Sequence, residues 1–201
     1  SFDVFAFCGA AVFSSRRISL ARSMMLSGRP AGVSGTVVSC CMEGTRPILA
    51  EIQALVTRSG LNNPRRSSTG IDFNRMNLLM AVLEKRLGFH MSECDVYVNI
   101  AGGMKISETA ADLAVILALA SGYLDFVIPS ELMAVGEVGL SGEVRSVNQT
   151  MSRVREAAKM GFNTCMVPEA AVKSLGAVSG IKLLGVSNAA QAIEMLRNGI
   201  K

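Results

Sequence analysis

The chain has 201 residues, half of them hydrophobic and 18% charged, which suits one medium domain with a buried core. No hydrophobic run reaches the roughly 20 residues that span a bilayer, so the sequence predicts no membrane segment. Most of the formal net charge of +4 comes from four arginines and one aspartate in residues 1–30. The rest of the chain is nearly neutral, so net charge by itself does not indicate a nucleic-acid-binding protein; only a local basic patch would.

Residues 1–34 follow no single periodic pattern, because an apolar piece, an arginine-rich piece and a Gly/Pro/Ser piece succeed one another. We interpret them as a poorly defined lead-in or linker before one domain at residues 35–201. The chain starts with Ser1 rather than methionine, which suggests a fragment or a processed product.

From Gly35 onward, strand-like and helix-like patterns alternate. The first two strands are joined by a predicted hairpin turn at residues 43–46, and residues 57–70 have the composition of a polar loop. The predicted strands cover residues 35–44, 46–56, 94–103, 131–147 (two short strands around a turn), 163–168 and 181–187. The predicted helices cover residues 72–88, 106–121, 148–162, 169–176 and 188–199. This order predicts an α/β domain with a mixed sheet and packed helices.

Several helix ends carry capping residues. Asp72 or Asn74 can cap the first helix, and Gly88 can end it. Ser107 is the predicted N-cap of the second helix, and Asn188 is that of the last.

The five cysteines and the single histidine show none of the spacings that bind zinc. Cys40 and Cys41 are adjacent in "TVVSCCM", where strand alternation sends their side chains to opposite faces. We predict no metal site, and we expect small buried thiols in a reducing, cytoplasmic compartment.

Four long segments, in order along the chain, resemble one known family. They read "MEGTRPILAEIQALV", "NPRRSSTGIDFNRMNLLMAVLEKRLG", "DVYVNIAGGMKISETAADLAVILALAS" and "GEVGLSGEVRSV". Together they resemble the C-terminal domain of the RadA (Sms) family of bacterial DNA repair proteins. The resemblance implies the α/β fold of the Lon proteolytic domain, of the ribosomal protein S5 domain 2-like type.

Lon-type proteases use a serine–lysine dyad, and the same resemblance places its two positions at Ala110 and Met151. A methyl group cannot attack a carbonyl and a thioether cannot carry a proton, so no peptidase activity is expected. Both residues are expected to pack in the core. Arg153 and Arg155, on the same predicted helix as Met151, are expected on its solvent face.

An active Lon-type serine peptidase remains an alternative hypothesis. Thr109 and Ser107 are hydroxyl residues next to Ala110, and Lys105 and Lys159 are lysines in the surrounding segments. Thr109 points about 100° away from Ala110 on a helix, and Ser107 is expected to act as a cap. Neither lysine has an evident nucleophile partner in the sequence.

No G-x-x-x-x-G-K-[ST] loop occurs in this sequence, so we expect no ATP site in it. The family resemblance implies that the full-length protein is a DNA-dependent ATPase. It also implies that ATP, magnesium and zinc bind to N-terminal domains outside this sequence.

The strongest candidate for DNA binding is "NPRR", where Arg65 and Arg66 lie on a loop stiffened by proline. Arg75 at the next helix start and Lys105 after a predicted strand are further candidates. Such cations would anchor phosphates without reading sequence.

The resemblance therefore predicts a non-proteolytic domain that supports oligomerisation and DNA binding in recombinational repair and branch migration. The implied partners are single-stranded or branched DNA, copies of the same chain in a homo-oligomeric ring, and a recombinase. The Ala-rich segment 110–120 could pack in a core or between subunits. A ring-forming scaffold without DNA contact is a second alternative.

Overall fold

The computed structural model describes residues 32–60 and 63–199. Most of the predicted lead-in, residues 1–31, lies outside the described residues. In the described part, no helix is long and apolar enough to cross a membrane.

Strands and helices follow each other in the order expected of an α/β domain. The strands are β1 Thr36–Glu43, β2 Arg46–Arg58, β3 Arg66–Thr69, β4 Cys94–Ile100, β5 Leu132–Ala134, β6 Glu137–Val138, β7 Val144–Arg145, β8 Thr164–Pro168 and β9 Lys182–Val186. The helices are α1 Phe73–Leu87, α2 Asp112–Leu124, α3 Thr150–Lys159, α4 Glu169–Leu175 and α5 Ala189–Arg197. Short 3₁₀ turns occur at Met91–Glu93, Ala101–Gly103 and Thr109–Ala111.

Seven of the described strands form one mixed sheet in the order β3-β4-β2-β1-β5-β8-β9. The β4–β2 and β2–β1 pairs are antiparallel and the other four pairs are parallel. Strands β6 and β7 form a separate two-stranded hairpin. The prediction of an α/β domain with a mixed sheet and packed helices is confirmed.

The structure confirms one hairpin turn and three helix ends that the sequence predicts. The β1–β2 hairpin pairs Glu43 with Arg46, as the turn residues predict. Helix α1 is capped by the Asp72 carboxylate, which accepts from the backbone N–H of Arg75, and it ends at Gly88 in the left-handed conformation. The Asn188 side chain caps α5 in the same way, by accepting from the N–H of residue 191.

Two sequence predictions about local structure are wrong. Helix α2 begins at Asp112, after a 3₁₀ turn, and no described side chain caps it, so Ser107 is not its N-cap. The carbonyl of Gly136 accepts from the N–H of Leu113 instead, at 3.0 Å. The last four residues of the predicted loop before Gly70 form the edge strand β3, which pairs with β4.

The sheet separates two buried cores among the described residues. The larger core lies between one face of the sheet and helices α1, α2 and α5. The smaller core lies on the opposite face, under α3 and α4. All ten residues of α2 from Asp112 to Ser121 are buried, so the Ala-rich segment packs in this domain's own core rather than between subunits.

Candidate functional site

The segment before α2 and the start of α3 meet on the smaller core, where the dyad of a Lon-type protease is expected. Ala110 is only 2% exposed and packs in that core, as predicted. Met151 is half-buried and lines a surface cavity of about 480 Å³ beside Arg155 and Lys159. The prediction that Met151 packs in the core is therefore wrong.

The α3 residue that faces the segment before α2 is Arg153, which is 1% exposed. Its guanidinium donates to both carboxylate oxygens of Glu108, at 2.6 and 2.7 Å. The same group donates to the carbonyls of Cys40 and Asn148. The expectation that Arg153 lies on the solvent face is wrong, whereas Arg155 is exposed as predicted.

Glu108 is held by the same network. The backbone N–H of Met42 donates to its Oε1 at 2.7 Å. Partial burial would raise the pKa of Glu108, but the hydrogen bonds from Arg153 and Met42 outweigh it and leave the pKa below its ordinary value. A two-point arginine–carboxylate bridge therefore joins α3 to the segment before α2.

Three of the described side chains near this bridge carry a hydroxyl or a thiol group: Thr109, Cys40 and Cys41. The Thr109 hydroxyl donates to the carboxylate of Glu137 at 2.7 Å. Burial raises the pKa values of the Cys40 and Cys41 thiols to about 12, so both are protonated at neutral pH. Lys159 lies 3.5 Å from Glu156 on the outer side of α3, among the residues of the cavity beside Met151.

Arg75, a predicted DNA contact, is engaged inside the domain. Its Nε lies 2.9 Å from Asp112 Oδ1, and a second guanidinium nitrogen binds the other carboxylate oxygen. The backbone N–H of Val138 also donates to Asp112, which is 2% exposed. Burial raises the pKa of Asp112, with these hydrogen bonds opposing the shift. Arg75 thus ties α1 to the start of α2.

Acidification should weaken the Glu108–Arg153 bridge. Because the pKa of Glu108 lies below its ordinary value of 4.5, its contribution to stability is complete above that value. The contribution is lost as the pH falls through the lowered pKa. In urea unfolding between about pH 7 and pH 3, the stability difference between wild type and Glu108→Gln should be constant at first and then shrink. Asp112 is present in both proteins and cancels; a difference that does not change with pH would contradict the assignment.

The other predicted cations, Arg65, Arg66 and Lys105, lie along the β3 edge of the sheet. Arg65 and Arg66 are at the start of β3, where the carbonyl of Arg65 accepts from Val96 N–H. Lys105 is at the other end, since Ile106 pairs with Ile71 just after β3. All three are exposed, and none forms a salt bridge with any residue in the described ranges. We call this set the basic edge.

The sequence reading missed Arg153 and Glu108 as a pair, although one signal pointed to Arg153. Arg153 belongs to a buried stripe of α3 with Val154 and Ala157, at helical spacing. A charged residue on the apolar stripe of a helix needs a partner inside the fold. Glu108 gave no such signal, because it lies 45 positions away in the sequence.

Comparison with known proteins identifies a family and several relatives of this chain. A family model described as subunit ChlI of Mg-chelatase matches residues 68–171. The chain is 46% identical over 176 residues to the DNA repair protein RadA of Bacillus subtilis, which is 88% of this chain and 38% of that protein. It is 43% identical over 172 residues to RadA of Halalkalibacterium halodurans, covering 86% of this chain and 38% of the relative.

RadA of Streptococcus pneumoniae is 44% identical over 171 residues, 85% of this chain and 41% of the relative. The chain thus spans about two fifths of the length of the curated relatives it matches. It belongs to the ChlI family by its match over residues 68–171, and it is homologous to the bacterial DNA repair protein RadA, which confirms the resemblance that its motifs predicted.

Proposed function

We propose that this chain is the Lon-like, non-proteolytic C-terminal domain of a RadA-type DNA repair ATPase. It binds DNA through the basic edge and supports assembly of the ATPase ring in recombinational repair and branch migration. ATP, magnesium and zinc bind to N-terminal domains of the parent protein, and the whole works in the cytoplasm with single-stranded or branched DNA and a recombinase. The observation that carries the DNA-binding role is the row of three exposed cations along β3, none of which forms a salt bridge within the described part of the chain.

The loss of proteolysis is supported by the contacts between α3 and the segment before α2, at Glu108 and Ala110. Ala110 offers no nucleophile, and the α3 side chain that reaches toward it is an arginine already bonded to Glu108. An arginine keeps its proton at all physiological pH values, so it cannot serve as a general base. The Thr109 hydroxyl, the alternative nucleophile, is hydrogen-bonded to a carboxylate rather than to an amine.

The geometry of the basic edge suits a phosphate backbone. Arg66 is five residue steps of chain from Ile71, beside which Lys105 lies, and these steps span about 16 Å. That length corresponds to about five nucleotide steps of one B-form strand. Arg75 is not part of this proposal, because its guanidinium is bonded to Asp112. The ring is proposed through the RadA resemblance, and its contacts must use surfaces other than the buried helix α2.

The test is the salt dependence of DNA binding by the whole 201-residue chain. Fluorescence anisotropy of a labelled single-stranded oligonucleotide is measured at increasing salt for wild type and for Arg65→Ala/Arg66→Ala/Lys105→Ala. Loss of three phosphate contacts should reduce the slope of log affinity against log salt by about 2 and weaken binding at low salt by about 10- to 100-fold.

The matched control removes three cations elsewhere, in Arg155→Ala/Lys159→Ala/Lys173→Ala. Its net charge is the same as that of the first triple variant, but its basic edge is intact. It should retain the wild-type slope. Equal slopes for wild type and the basic-edge variant would favour the scaffold without DNA contact.

A further inference from the structure

Next to the basic edge, half of one sheet face carries no helix of the described part of the chain. Along β2, side chains on this face pass from covered to open: Leu49 packs under α3, whereas Gln53 is exposed and Leu55 is 63% exposed. On β4, the corresponding residues are Tyr97 and Asn99. Among the described residues, neither buried core includes Gln53, Leu55, Tyr97 or Asn99.

Strand register aligns these side chains with those of β3 in two rows. Leu55 pairs with Tyr97, which pairs with Ser67. Gln53 pairs with Asn99, which pairs with Thr69. We call the six side chains in these two rows the bare face: Gln53, Leu55, Ser67, Thr69, Tyr97 and Asn99. Because residues paired across a ladder share a face, all six point away from α1 and α2.

Two cations of the basic edge, Arg65 and Lys105, border this face at its two ends, whereas Arg66 pairs with the buried Val96 and points to the other side of the sheet. Arg65 is two positions before Ser67 and shares its side of the sheet by alternation. Lys105 precedes Ile106, which is buried in the larger core, so Lys105 points to the opposite side, toward the bare face. The nearby carboxylate of Asp95 is already bound by the backbone N–H of Arg65.

The chemistry of the bare face is that of a stacking surface. Tyr97 is half-buried, and its hydroxyl makes no hydrogen bond to any residue that the structure describes. Leu55 extends the apolar surface beside the ring. The amide of Asn99 donates to Gln53 at 3.2 Å, and the hydroxyls of Ser67 and Thr69 can donate or accept. Such a mixture favours contact with any base rather than a particular one.

We propose that the bare face binds the unpaired bases of single-stranded DNA, with Tyr97 as the stacking residue and the basic edge holding the phosphates. This inference rests on the DNA-binding role proposed above and identifies the form of DNA that the site takes. In a duplex the bases are stacked on each other and unavailable to Tyr97, so single strands bind more tightly.

Intrinsic fluorescence tests the contact directly, because the chain has two tyrosines and no tryptophan. In Tyr123→Phe, Tyr97 is the remaining tyrosine. Addition of an unlabelled single-stranded oligonucleotide should quench its emission. A strand of the same length with abasic sugars should bind the basic edge without quenching. Quenching that is equal for both strands, or absent with the base-bearing strand under saturating conditions, would overturn the stacking role.

Binding affinities give the second readout. Tyr97→Ala should bind the base-bearing strand about 5- to 100-fold more weakly than wild type, with the salt slope unchanged. Tyr97→Phe, which keeps the ring, should stay within about twofold of wild type. Both variants should bind the abasic strand as wild type does, which also shows that they are folded.

The outcomes separate this inference from the function on which it rests. If wild type binds abasic and base-bearing strands equally, the bare face does not bind bases, while the basic edge remains a DNA site. If wild type binds neither strand, both proposals fail. If Tyr97→Ala changes the sedimentation of the protein but not its affinity for the base-bearing strand, the bare face is a contact between subunits and the inference is wrong.

Discussion

Replacing Glu108 with alanine should lower the free energy of unfolding by about 3 kcal/mol. The substitution leaves the guanidinium of Arg153, which is 1% exposed, without its negative partner. Breaking one side of a buried ion pair costs about 3–5 kcal/mol, and the lower end applies because the Glu108 side chain is 29% exposed. Urea unfolding followed by circular dichroism measures the change.

The double variant Glu108→Leu/Arg153→Met is the informative control. Replacing both charges with apolar groups removes the unpaired cation, so the double variant should be more stable than Glu108→Ala. Glu143→Ala breaks a pair with Arg145 whose side chain is 58% exposed, and it should cost less than about 1 kcal/mol. A double variant as unstable as Glu108→Ala would show that the loss comes from packing rather than from the unpaired charge.

Replacing Gly70 with alanine should destabilise the domain by about 2–4 kcal/mol. Gly70 has a φ of +83°, and an added Cβ would lie 2.4 Å from the carbonyl oxygen of Met104 and 2.7 Å from the Cβ of Ile100. Its carbonyl also accepts from Ile106 N–H at 2.7 Å. Because these contacts involve backbone and the root of a side chain, the strand cannot move aside cheaply.

Gly102→Ala separates the two causes of this loss. Gly102 has a similar φ of +75°, but no atom lies within 4 Å of the position that its Cβ would take. It should cost only the conformational strain, about 1 kcal/mol. Thermal unfolding of both variants measures the difference, and equal losses would mean that the close approach at Gly70 is relieved by movement of the chain. Gly70→Ala should also weaken DNA binding, since this turn positions Lys105 beside β3.

Features with local causes were readable from the sequence. The Asp72 cap, the Gly88 stop and the β1–β2 turn each depend on a few neighbouring residues, and the structure has all three. The edge strand β3 was missed because its four residues, Arg66–Thr69, are all polar and lack an apolar alternation. Its pairing with β4 supplies the backbone hydrogen bonds that make it a strand.

The candidate site shows the same division. The assignment of Ala110 to the serine position of the Lon-type dyad came from long motifs that resemble one family. An alanine side chain carries no hydroxyl, so its identity alone excludes a nucleophile at this position. The role of Arg153 did not follow, because the arginine is buried only through contacts with Glu108 and Cys40, far away in the chain. Met151, two residues before Arg153 on the same helix, lines a surface cavity instead.

By itself, the sequence determined the α/β class, the ends of several helices and the relationship to RadA. These depend on residue identity and on short-range patterns. Only the tertiary structure decided that Arg153 is bonded to Glu108 and Arg75 to Asp112. It also decided that Arg65, Arg66 and Lys105 are exposed along one edge, beside a sheet face that no helix of residues 32–60 and 63–199 covers. The reason is physical: whether a charge is buried and paired or exposed depends on which distant strands and helices pack against it.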